Sequence, residues 1–193
     1  MTWWLRAHAA GTSAAALVAC FLLAPLLSAS ALPVPALFTG NAGGVSVPLL
    51  LPALPACALL YGLARPPAAL HATAVRPLGQ WQLAGLLGVL LVALVIGVAE
   101  AAFLDFPLAL GAVRNLCGYL AAGLVAQRLW GPTYGPAVAA ALPVLCGLVG
   151  NGPGGRPYWW AWPLHTETSL PAVLATALLL CAAVPSLLRP RRP

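Results

Sequence analysis

Two apolar runs, Leu83 to Phe103 and Leu108 to Trp130, stand back to back with only Leu104, Asp105, Phe106 and Pro107 between them. Each is long enough to cross a bilayer as a helix, which takes about 20 residues. A connection this short, built on Asp and Pro, predicts an antiparallel helical hairpin. Such a hairpin would need a large polar shell to stay in water, and the rest of the chain offers none. Of 193 residues, 62% are hydrophobic and 6% charged. A soluble domain of this size could not hide so much apolar surface. The chain therefore reads as all-α, a polytopic membrane helical bundle forming a single transmembrane domain over residues 1–193.

The hairpin holds most of the charge that has to be explained. Glu100 and Asp105 are two of the three acidic residues, and Arg114 has long apolar sequence on both sides. At 1.5 Å per residue, Glu100 lies ~8 Å before the Asp105 turn and Arg114 ~10 Å beyond Pro107. Similar depth predicts an intramembrane ion pair between Glu100 and Arg114, because a charge on a membrane helix is costly unless paired or wet. The pair would be either a structural clamp near the outer surface or part of a transport path.

Further apolar runs bring the predicted spans to six, at about 9–32, 46–64, 83–103, 108–130, 133–150 and 169–188. All nine basic residues are arginine, and their placement sets the orientation. With the N-terminus cytoplasmic, Arg6, then Arg65 and Arg76, then Arg128, then Arg189, Arg191 and Arg192 fall on the cytoplasmic side, and Arg156 falls outside. Both termini are then cytoplasmic. A signal peptide is the competing reading of the first run, with Ser28-Ala29-Ser30-Ala31 or the stretch ending at Cys20 as the cleavage site. The run continues past Cys20 and is long enough to span, which favours a retained helix.

The connections differ in kind. Pro33 to Val45 reads as a charge-free loop. Pro48, Pro52 and Pro55 predict a kink in the first half of the second span. Residues 65–82 form a cytoplasmic segment in which Pro67 can open, and Pro77 close, a short helix. Leu70, Ala74 and Val75 would pack on bilayer or protein, leaving His71, Thr73 and Arg76 more exposed. The fourth span carries Gly111, Asn115, Gly118 and Ala122 at helical spacing, a small-residue face for close helix approach and an interhelical hydrogen bond. The fifth run is short and holds Pro143, so it spans with help from its flanks or forms a re-entrant element. Residues 150–168 make an outer loop in which Tyr158, Trp159, Trp160 and Trp162 form an aromatic cluster. That cluster reads as an interfacial anchor belt, with a substrate-contacting or gating segment as the sharper alternative.

Catalytic patterns are missing from the sequence. It has no GxxxxGK[ST], no HExxH and no Gly-x-Ser-x-Gly. Cys20, Cys57, Cys117, Cys146 and Cys181 fall in different apolar runs, which argues for packing rather than for disulfides or zinc. His8, His71 and His165 divide between the two sides of the membrane, so no metal site is expected. No basic stripe with interleaved aromatics points to nucleic acid. An enzyme is disfavoured, and no cofactor is implied.

Six spans, cytoplasmic termini, a short amphipathic lead-in and a helical loop between the second and third spans resemble type-2 ABC exporter permeases. RNLCG (Arg114 to Gly118) and WAWPLHTETS (Trp160 to Ser169) are similar to stretches of small bacterial membrane proteins labelled ABC-type permeases. The resemblance implies a coupling helix at Ala68 to Arg76 meeting a separate ATPase subunit, with Leu70, His71, Thr73, Val75 and Arg76 in that loop. It also implies a partly re-entrant outer structure between the fifth and sixth spans, and a dimer of permease subunits. Two other readings remain open: an accessory or immunity-type membrane protein acting by helix–helix contact, and a small secondary carrier using Glu100 and Arg114.

Overall fold

The computed structural model describes residues 10–35, 42–65, 78–152 and 156–188. In chain order these form α1 (Ala10–Leu26), β1 (Ala31–Pro35), β2 (Ala42–Ser46), α2 (Val47–Leu50), α3 (Ala53–Ala64), α4 (Leu78–Phe103), α5 (Leu108–Trp130), α6 (Tyr134–Val149), a 3₁₀ turn (Trp162–Leu164) and α7 (Leu170–Leu188). Among the described residues the fold is all-helical apart from the two short strands. Val47–Ala64, Gly79–Phe103 and Leu108–Trp130 are long and apolar enough to cross a membrane, while Gly11–Leu26, Tyr134–Val149 and Leu170–Pro185 are apolar but shorter.

The outer helices bury one stripe each. On α1 it is Ser13, Leu17, Cys20, Phe21 and Ala24; on α4 it is Gln82, Leu86, Ala93, Gly97 and Glu100. Spacings of three and four residues keep each set on one side of its helix. The opposite faces are exposed and equally apolar, with Leu22 and Leu26 on α1 and Leu87, Leu91 and Val95 on α4. Broad exposed apolar faces suit hydrocarbon rather than water.

α5 is different. It is enclosed nearly all round, from Ala109 to Gln127, and packs against α2, α3, α4, α6 and α7. Lipid is as apolar as leucine, so close packing and hydrogen bonds, rather than burial of leucine, must hold such helices together. The composition of α5 fits that demand. Gly111 meets Leu49, Gly118 meets the Trp162 ring, and Gly123 meets Leu60 and the Gly135 backbone. At the far end Gln127 Nε2 donates to the Leu60 carbonyl at 2.9 Å.

Several local expectations are corrected. Pro33 to Val45 is not simply a loop: Ala31 to Pro35 and Ala42 to Ser46 pair antiparallel, from Ala31 opposite Ser46 to Pro35 opposite Ala42. The first helix ends at Leu26 rather than near residue 32, because Pro25 lies in its last turn and the chain turns through Ser28 and Ser30 into β1. The third starts earlier than expected, at Leu78. In the second, the helix breaks at Leu51 and Pro52. The expected coupling helix, with Leu70, His71, Thr73, Val75 and Arg76, lies outside the described residues.

Between α4 and α5 the chain reverses at Asp105, whose φ of 53° is a left-handed conformation that Asp tolerates. The N–H groups of Leu104 and Phe106 both bond the Glu100 carbonyl, at 3.0 and 3.4 Å, and close the helix end.

Candidate functional site

The polar side chains of α5 converge on backbone. Arg114 and Asn115 lie nearly two turns inside the Asp105 end of α5, and Tyr119 follows Asn115 by four residues on the same face. Arg114 Nη1 donates to the Thr166 carbonyl at 2.7 Å, and Nη2 to those of His165 at 2.9 Å and Trp162 at 3.3 Å. Its Nε and Nη2 also reach Asn115 Oδ1 at 3.3 and 3.2 Å. The Asn115 amide, so oriented, donates to the carbonyls of Leu49 at 3.0 Å and Pro163 at 2.9 Å. Tyr119 donates to the Leu49 carbonyl as well, at 3.2 Å.

The acceptors at 162–166 belong to a segment that folds back into the bundle. The Trp162 ring fills the notch over Gly118, with its centroid 5.4 Å from that of Tyr119. Pro163 is held by Asn115, His165 and Thr166 by Arg114, and Glu167 lies near Gly111. The segment therefore climbs along α5 in the antiparallel sense. Gly118 is ten residues into α5, so the ring sits ~15 Å from that end of the helix at 1.5 Å per residue. Ala161, Trp162 and Pro163 are buried, and the turn packs against α2, α6 and α7. α6 has 16 residues and ends at Val149, so its ~24 Å falls short of a ~30 Å hydrocarbon layer.

The base of this segment is closed by backbone bonds. Tyr158 N–H donates to the Gly150 carbonyl at 2.8 Å and Gly152 N–H to that of Arg156 at 2.9 Å. His165 Nε2 donates to the Tyr158 carbonyl at 3.1 Å, and its Nδ1 lies 3.2 Å from Ser169 Oγ.

Two sequence expectations change. Arg114 does not pair with Glu100. The guanidinium is surrounded by carbonyls of 162–166 and by Asn115, while Glu100, 7% exposed, has a buried Oε2 with no hydrogen-bond partner. Equal depth on adjacent helices was a fair guide to height but carried no information about rotation around the helix. The aromatic cluster also divides. Trp159 is 79% exposed, and Tyr158 and Trp160 stack at the rim with centroids 6.2 Å apart, whereas Trp162 belongs to the core. Asn115 and Gly118 were legible as part of a small-residue face; that their partners would be a folded-back segment and the Leu49 carbonyl was not. Tyr119 and Gln127 were missed, although a polar side chain deep in an apolar run is a signal in itself.

Among the described residues no group of His, Cys, Asp or Glu could hold a metal ion. The site is thus a set of donors clamping carbonyls. It positions a segment against α5. Comparison with protein-family models, with curated proteins and with solved structures finds no match for this chain.

Proposed function

We propose that the protein is the permease subunit of an ATP-driven exporter, with six spans, cytoplasmic termini, a separate ATPase subunit and a second permease copy as partners. The supporting observation is the folded-back segment between α6 and α7, latched to the central helix through Arg114 and Asn115. A plug fastened by hydrogen bonds to backbone carbonyls can be released if water or a passing solute takes over those bonds, which a purely packed contact does not allow. Such a plug is what an outer gate requires. The sequence has no phosphate-binding loop of its own, so the energy would come from the partner through residues 65–82.

The test is co-purification. Wild type should bring down an ATPase encoded beside it, and Leu70→Asp with Val75→Asp should insert normally but lose that partner and its stimulated hydrolysis. If wild type brings down none, the exporter reading falls. The accessory-protein reading then takes its place, favoured by the outward face of α4, where Gly88 has open space beside exposed Leu87 and Leu91.

A further inference from the structure

We infer that Glu100 is a proton-binding site, its carboxyl held as the neutral acid inside the bundle. The inference is independent of the exporter reading. Glu100 belongs to the buried stripe of α4, three residues after Gly97, and Gly97 packs against Val113 and Ala109 of α5. The register that seats Gly97 on α5 therefore turns Glu100 inward. The side chain is 7% exposed, and Oε2 is enclosed without a hydrogen-bond partner.

Among the described residues, no donor reaches Glu100 Oε2. Arg114 directs its N–H groups to Asn115, Trp162, His165 and Thr166. α1 contributes Cys20, a buried thiol that brings no positive charge. The α5 groups that meet α4 at Gly97, the Val113 side chain and the Ala109 backbone, do not titrate. α7 has no charged residue between Leu170 and Leu188. Asp105, in the adjoining turn, has the same sign as Glu100 and is exposed. A carboxylate here would be a buried charge with no donor on Oε2 among the described residues, and a bound proton removes the charge. Glu100 is also one turn from the end of α4 at Phe103, so the proton can exchange with that surface without crossing the bundle.

Dicyclohexylcarbodiimide is the probe, since it enters apolar sites and reacts with the protonated acid. The carboxyl proton passes to a carbodiimide nitrogen and the carboxylate oxygen adds to the central carbon, after which the adduct rearranges to a stable N-acylurea. Peptide mass spectrometry of the full chain in detergent should find that adduct on Glu100, none in Glu100→Gln, and a several-fold loss of yield as the pH is raised. No adduct at Glu100, or a yield indifferent to pH, would overturn the proposal. Thermal unfolding gives a separate check. A fold that holds this proton more tightly than the unfolded chain loses stability as pH rises and the proton leaves. Wild type should lose melting temperature relative to Glu100→Gln as pH increases, and parallel profiles would count against the site.

Discussion

Asn115 and Tyr119, one turn apart on α5, donate to the same acceptor, the Leu49 carbonyl, at 3.0 and 3.2 Å. Leu49 is in the last turn of the four-residue helix α2, where end carbonyls lack helical partners. The break at Leu51 and Pro52 and the polar face of α5 therefore answer one another: one exposes acceptors, the other brings donors.

The two donors are unequal. Tyr119→Phe leaves Asn115 on the carbonyl and should lower stability by about 1 kcal/mol, the net contribution of one hydrogen bond. Asn115→Ala also strands the Pro163 carbonyl and removes an acceptor from Arg114, so a loss of roughly 3 kcal/mol is expected. Thermal unfolding of both variants in detergent measures the difference. Equal losses would mean that Leu49 is the sole partner of consequence.

Arg114 should not tolerate lysine. Its acceptors spread from Trp162 to Thr166, and an ammonium cannot match the planar fork that reaches them. Arg114→Lys is expected to lose at least ~2 kcal/mol. In a double-mutant cycle, Arg114→Gln and Glu100→Ala should add to within ~0.5 kcal/mol, as for groups without shared partners. A large coupling energy would show that the two charges meet after all.

Gly118 is a test of the folded-back segment. A Cβ there would collide with the Trp162 ring, which lies over the helix backbone. Gly118→Leu should displace the turn while leaving α5 helical. Hydrogen exchange should then speed up at the Ala161 and Leu164 amides, which are bonded to the Tyr158 and Ala161 carbonyls. Unchanged protection at those two amides would place the ring elsewhere.

The arginines predict an orientation. Reporter fusions after Arg65, Arg128 and Arg192 should read cytoplasmic, and fusions at Asp105 and Gly43 external. Agreement at all five positions supports the alternating arrangement, and a switch at any one of them breaks it.

How much of this was legible in the chain depends on the kind of information involved. The bounds of α5 coincide with the apolar run read from sequence, because Pro107 and Gly131 punctuate it and hydropathy fixes its length. Its small residues gave away a close-packed face, since a glycine in a membrane helix marks where something approaches. The pairing of Ala31 to Pro35 with Ala42 to Ser46 was not legible, because a Gly- and Pro-rich stretch has no alternation from which to read a register.

The sequence by itself determined the helical class of the protein, the bounds of α5 and how far along it Arg114 and Asn115 lie. Those depend on local composition and on a fixed rise per residue. Only the tertiary structure decided what the two residues hold. Their partners at 162–166 are 48 to 52 residues away along the chain. Most of those partners are backbone carbonyls, which every residue carries, so no side-chain pattern marks the ones that will be used. The same holds for Trp162: its composition suited the membrane surface, and packing against Gly118 and Tyr119 placed it in the core.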